Sequence, residues 1–310
     1  MKTAFIFPGQ GSQYVGMASD FIRENADLKE ITDNFDKAHN TNLAEVMTKG
    51  PEETLKQTSY TQPAILFHSL AALASFQNKS KLQADFVAGH SLGEFSAIVA
   101  SGMISFQDAL HLVHKRGEFM IKANAGVPFA MSAIIGLEPN QVREICLAAE
   151  NAGLVRAVNF NTPIQTVISG TAEGVQKAGE LAKTKGAKRV IPLVVGGPFH
   201  TPLIAKASDW LKEEMQKVNF KDGKIPVISN VTALPVINGQ EERELLARQI
   251  VSPVLWVQSV EYMINQGVQR FIEFGPQKVL SGMIRNINKD VEVFSIDKYE
   301  DIDGVVSATS

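Results

Sequence analysis

Apolar positions along the chain alternate between short runs and stretches of helical period, an alternation that reads as an α/β fold. Residues 3–7 predict a strand that ends at the Pro8-Gly9 turn. Residues 64–76 predict a buried helix. A short buried strand at 86–88 runs directly into a helix at 92–100. Ser105 opens another helix, with Asp108 three residues on as an approximate capping box, and its period continues to about Lys122. Further on, the pattern predicts a helix at 204–218, a strand at 227–229, helices at 244–250 and 254–266, and a strand at 270–274. Residues 305–310 read as a frayed tail.

The pattern changes between residues 127 and 195. Strand 129–135 is followed by helix 139–151, which has Pro near its first turn. Strands 154–160 and 166–169 are joined by Asn161-Thr162-Pro163-Ile164, then come helix 174–185 and strand 189–195. This β-α-β-β-α-β order is the ferredoxin-like motif. Residues 126–197 are therefore expected to be a small insert in a larger body made of 1–125 and 198–310. Length alone, at 310 residues, would suggest two equal domains instead.

Composition narrows the function classes. Lys and Arg number 30 against 33 Asp and Glu, so there is no basic footprint for nucleic acid. The lone Cys146 excludes intrachain disulfides and a cysteine zinc cluster, and its apolar helical surroundings read as a buried, inert thiol. The first apolar run is cut by Pro8, too early for a signal peptide. Residues 64–76 are interrupted by His68, Ser69 and Ser75 and fall short of the roughly 20 residues of a membrane span. A cytoplasmic protein with no membrane or nucleic-acid partner is expected.

The stretch Gly89-His90-Ser91-Leu92-Gly93 fits G-x-S-x-G, with a strand before it and a helix after it. Serine at such a turn is pushed out of the surface. The helix N-terminus then sets free N–H groups beside the oxygen that becomes an oxyanion. The plainer alternative is an ordinary Gly-rich turn. A serine nucleophile needs a base. Of six histidines, His39 lies in a polar stretch, His68 in a buried helix, and His111 and His114 on a polar helix face. His90 adjoins the serine but points away from it. His200 follows a strand and a Gly-Gly-Pro turn, a loop geometry that presents functional residues. Asp108 is the only aspartate between Ser91 and His200 and is explained by capping, so a Ser–His dyad is favoured over a triad.

Arg116 sits among Leu112, Val113 and Met120 on the apolar face of its helix. A buried guanidinium must be paired. Its partner is either a structural glutamate or the carboxylate of a substrate, and the pattern favours neither. The loop Pro8-Gly9-Gln10-Gly11-Ser12-Gln13-Tyr14 lacks the third glycine of a dinucleotide fingerprint, and no Gly-Lys-Ser/Thr of a P-loop is present. It reads as a tight loop whose backbone N–H groups face a site.

Together these stretches resemble the malonyl-CoA:acyl carrier protein transacylases. So do Arg116-Gly117, Val158-Asn159-Phe160-Asn161, Pro198-Phe199-His200, Pro226-Val227-Ile228-Ser229-Asn230 and Glu273-Phe274-Gly275-Pro276, in the family's order from the N-terminus to about Val279. The resemblance implies an α/β-hydrolase-like body with a mainly parallel sheet and a ferredoxin-like insert. It implies Ser91 as the acylated nucleophile, His200 as base, and Gln249 as the residue whose carbonyl orients His200. The N–H groups of Gln10 and Leu92 would form the oxyanion hole and Arg116 would clamp the malonyl carboxylate. Met120, His90, Asn159, Asn161 and Phe199 would contact substrate. It further implies malonyl-CoA and holo acyl carrier protein as partners, no cofactor or metal on the enzyme itself, and a monomer. Gly196 stands where the family often has Ser, and Thr201-Pro202-Leu203-Ile204 replaces a Ser-x-Leu-Met. A serine hydrolase, a non-catalytic carrier-binding module and a polyketide-pathway acyltransferase are the rival readings.

Overall fold

The computed structural model describes residues 1–124 and 126–310, so the expected boundary at residue 125 lies outside the described residues. Among the described residues, ten strands form two sheets: β1 (Lys2–Phe7), β2 (Phe86–Gly89), β3 (Phe129–Ile135), β4 (Val155–Thr162), β5 (Gln165–Thr171), β6 (Arg189–Pro192), β7 (Val227–Ile228), β8 (Pro235–Val236), β9 (Val268–Phe274) and β10 (Glu292–Ile296). The six-stranded sheet has the order β10-β9-β1-β2-β7-β8. Its neighbours pair in parallel except β7 with β8. The second sheet, β4-β5-β3-β6, is antiparallel throughout.

The near-continuous apolar run of β1 follows from burial on both faces, as a parallel strand inside a sheet requires. Phe5, Phe7, Val87, Ile272 and Phe274 face one core cluster. Ala4, Ile6, Ala88, Val268 and Phe271 face the other, with Trp256 at 1% exposure. The small sheet packs its own core, Ile134, Ile145, Phe160 and Ile168 among others, against helices Pro139–Ala149 and Ala172–Thr184. It joins the body through β4: Phe160 N donates to Val254 O at 3.0 Å and Val254 N to Val158 O at 2.7 Å.

Several expectations are corrected. Residues 305–310 are no frayed tail: helix Asp301–Thr309 buries Ile302 and Val305, and Arg270 Nη1 donates to Thr309 O at 3.2 Å. The helix expected at 64–76 spans Thr58–Lys79. Its polar first turns are buried too, because Thr61 Oγ1 donates to Leu55 O at 2.6 Å and Gln62 turns inward. β4 runs on through Asn161 and Thr162, leaving a tighter hairpin at Pro163-Ile164. The helices between Ser19 and Leu55, helix Val279–Ile287 and β10 have no counterpart in the sequence-based expectation. No helix is long and apolar enough to cross a membrane, among the described residues.

Candidate active site

β2 lies inside the sheet, and its C-terminal end delivers Ser91 directly into helix Gly93–Ser101. The turn is tight enough to hold Ser91 at φ 53°, a left-handed conformation that a serine adopts only when its surroundings impose it. The flanking glycines are required by contact. A Cβ on Gly89 would stand 1.9 Å from the Gly93 carbonyl group, and one on Gly93 would stand 2.1 Å from Phe7 O. Asn230, just beyond β7, clamps the turn: its Oδ1 accepts from Ser91 N at 2.7 Å and its Nδ2 donates to Gly89 O at 2.6 Å.

His200 comes from the segment after β6 and is also left-handed, with φ 61°. Its Nε2 lies 2.9 Å from Ser91 Oγ. Its Nδ1 lies 2.9 Å from Gln249 O and 3.1 Å from Ser252 O. Two carbonyl acceptors require the proton on Nδ1, which leaves Nε2 as an acceptor for the serine hydroxyl. Burial, with the Arg116 charge adding to it, lowers His200 to about 3. The imidazole is thus neutral across the physiological range.

Arg116, on helix Phe106–Lys122, is 1% exposed. Its partners are neutral: Nη1 donates to Gln62 Oε1 at 2.8 Å, and Nη2 to Gln249 Oε1 at 2.8 Å and Ser91 Oγ at 3.0 Å. Nε has no partner among the described residues. Burial lowers the guanidinium to about 10, still a cation at neutral pH, and the charge of Glu94 partly offsets that shift. Among the described residues, the glutamate pairing that the sequence left open is not formed. Ser91 Oγ therefore accepts from a cation on one side and faces a neutral imidazole on the other.

A serine at a strand–helix elbow, an imidazole oriented by carbonyls and a buried free-standing cation make an acyl-transfer site. A family model described as acyl transferase domain matches residues 4–298. The chain belongs to the acyl transferase family. It is 43% identical over 303 residues to the malonyl CoA-acyl carrier protein transacylase of Bacillus subtilis (strain 168), across 97% of this chain and 95% of that protein. It is 41% identical to the acyl-carrier-protein S-malonyltransferase of Burkholderia pseudomallei 1710b, whose crystal structure superposes with a TM-score of 0.95 over 99% of this chain and 100% of that one. A malonyl-transacylase solved in complex with its type II PKS acyl-carrier protein superposes with a TM-score of 0.95 at 34% identity, over 100% of both chains.

The remaining expected residues of this acyl transferase fall in two groups. Leu92 N and Gln10 N, flanking the site, have no protein acceptor among the described residues. Met120 is buried, with its Sδ 3.6 Å from Gln62 Nε2, so it supports the amide that holds Arg116. Phe199 is buried beside His200, its ring edge against Gly197. By contrast, His90 and Asn161 are spent on each other, with Nε2 and Oδ1 2.8 Å apart, and neither bonds Ser91, Arg116 or His200. Asn159 is half-buried where β4 meets Val254, and its Oδ1 has no partner among the described residues. A cleft of about 1160 Å³ opens from Gln10 past Ser59, Phe119 and Val194 to Gly196.

Sequence reasoning missed Gln62, Glu94 and Asn230 as parts of the site. A visible signal existed for Glu94, a lone acid on an otherwise apolar helix that buries Phe95, Ala97 and Ile98. His114, expected on a polar face, is 6% exposed: its Nδ1 lies 3.1 Å from Ser59 O and its ring packs on Phe35. The polar face of its helix is covered there by helix Ala26–His39, which the period did not predict.

Proposed function

We propose that this acyl transferase is a malonyl-CoA:acyl carrier protein S-malonyltransferase of type II fatty acid biosynthesis. The observation that carries the reading is Arg116, a buried cation without an acid partner, 3.0 Å from Ser91 Oγ. A malonyl group carries its free carboxylate one methylene beyond the carbonyl that serine attacks. A guanidinium in contact with the nucleophile lies within that reach and grips the carboxylate through two parallel N–H···O bonds.

The chemistry follows from the site's own groups. Ser91 Oγ attacks the thioester carbonyl of malonyl-CoA while its proton passes to His200 Nε2. The oxyanion is held by Gln10 N–H and Leu92 N–H, each worth about 3 kcal/mol. The C–S bond breaks, CoA leaves with the proton from His200, and a malonyl ester remains on Ser91. The phosphopantetheine thiol of the carrier protein then attacks that ester. His200 takes the thiol proton and returns it to Ser91 Oγ. Atoms and protons balance with no bound cofactor or metal. An acetyl group would leave Arg116 buried without a carboxylate, a mismatch of about 3 kcal/mol.

We read the six-stranded body as α/β-hydrolase-like, with 126–197 as a ferredoxin-like insert. The parallel order β9-β1-β2-β7 and the β6-β3-β5-β4 order of the small sheet support this reading. The enzyme is taken to act as a cytoplasmic monomer, which light scattering would check.

The test is transfer from malonyl-, methylmalonyl- and acetyl-CoA with and without holo carrier protein. A malonyl adduct on Ser91 by mass spectrometry, with sustained CoA release only when carrier is present, supports the reading. Sustained release without carrier would make the protein a hydrolase. The likeness to a malonyl-transacylase solved with a type II PKS carrier favours one second reading, the same chemistry serving a polyketide carrier. Comparing the two carriers as acceptors separates them.

A further inference from the structure

Two carboxyl groups lie buried beneath the nucleophile turn. Glu94 is in the first turn of helix Gly93–Ser101 and Glu242 is on helix Gly239–Gln249, both at 0% exposure. Glu94 accepts from neutral donors: Asn230 N at 3.0 Å and Gln249 Nε2 at 2.5 Å. Glu242 has no donor on either oxygen among the described residues, and it faces Glu94. A buried carboxyl without a donor is tolerated only when neutral. Glu242 therefore keeps its proton, as one of two close carboxyls that cannot both ionise. Burial, and then the charge of Glu94, push Glu242 well above the usual carboxylate range.

The consequence lies one bond further on. The Gln249 amide has two orientations of similar shape. In the observed one, Nε2 donates to Glu94 Oε2 and to Ser91 O at 2.8 Å, so Oε1 must face Arg116. Turned over, the amide would set N–H against the guanidinium and oxygen against two acceptors.

We propose that Glu94 is a positioning residue for the carboxylate clamp, with Glu242 as its proton-bearing partner: it locks the Gln249 amide so that Arg116 is held beside Ser91. The inference rests on the malonyl-transfer reading. A glutamine at 94 would keep one acceptor for Asn230 N but turn a second N–H towards Gln249 Nε2. That donor–donor clash forces the Gln249 amide over and loosens Arg116.

The experiment measures kcat and KM of the full chain with malonyl-CoA and acetyl-CoA, using holo carrier protein as acceptor. Glu94→Gln is expected to raise the KM for malonyl-CoA at least tenfold and to change acetyl transfer less than twofold, so the malonyl preference falls about tenfold. A merely structural role would slow both donors alike. Glu242→Gln, which keeps a neutral side chain of the same size facing Glu94, is expected to keep the preference within twofold. That measurement stands even where Glu94→Gln fails to fold. Preference retained in Glu94→Gln, or lost in Glu242→Gln, overturns the inference alone. A wild-type enzyme without malonyl preference overturns the transfer reading and this inference with it.

Discussion

Arg116 Nη2 donates to Ser91 Oγ across 3.0 Å, so the buried cation touches the nucleophile itself. Its other contacts are the amide oxygens of Gln62 and Gln249, which hold the guanidinium without neutralising it. Arg116→Ala is expected to lower kcat/KM for malonyl-CoA by about a hundredfold, the equivalent of about 3 kcal/mol, and to leave acetyl-CoA much less affected. Competition between the two donors on one preparation measures this. An unchanged preference would remove Arg116 from substrate selection.

His200 carries its Nδ1 proton between two carbonyls and is lowered to about 3 by burial first and Arg116 second. A base works in its neutral form, which exists above its pKa. An unperturbed imidazole would be only about 3% neutral at pH 5. The rate of Ser91 acylation, followed as the CoA burst, is therefore expected to stay level from pH 7 to pH 5 and to fall below that. A fall centred near pH 6.5 would mean that His200 is exposed to solvent in the working enzyme.

Gly89 and Gly93 meet backbone to backbone beneath the elbow. Gly89→Ala would drive a methyl into the Gly93 carbonyl, with no flexible side chain to move aside. A loss of at least about 3 kcal/mol is expected, read as a lower urea midpoint. Ser91→Ala, which keeps the turn, should hold the wild-type midpoint within about 1 kcal/mol while abolishing the covalent adduct.

The C-terminal helix Asp301–Thr309 buries Ile302 and Val305 against the body. Deleting residues 301–310 is expected to cost about 4 kcal/mol, from the apolar surface of the body that Ile302 and Val305 cover being returned to water. Equilibrium urea unfolding of the truncated chain checks this. An unchanged midpoint would restore the frayed-tail reading.

Local signals in this chain carry local structure. The G-x-S-x-G stretch between an apolar strand and a helix marks Ser91, because the close approach of two glycines leaves no alternative residue. The period of residues 106–122 puts Arg116 on the apolar side of its helix, where it is found buried. The apolar stretch at 129–135 gives β3 its full length. Partners are a different matter, since they come from far along the chain. Gln62 and Gln249 are 54 and 133 residues from Arg116, and Asn230 is 139 residues from Ser91. A buried amide looks like any polar residue until the fold shows what it faces. For the same reason the sequence left open whether Arg116 pairs with an acid, and it passed over Glu94 and Glu242. His114 shows the converse: its helix period made it a surface residue, and a neighbouring helix covers it. Hydrophobic spacing records which side of an element is dry. Only the packing of distant elements decides which polar groups meet there, and in this site those meetings set the charge of His200, the aim of Arg116 and the tilt of the Gln249 amide.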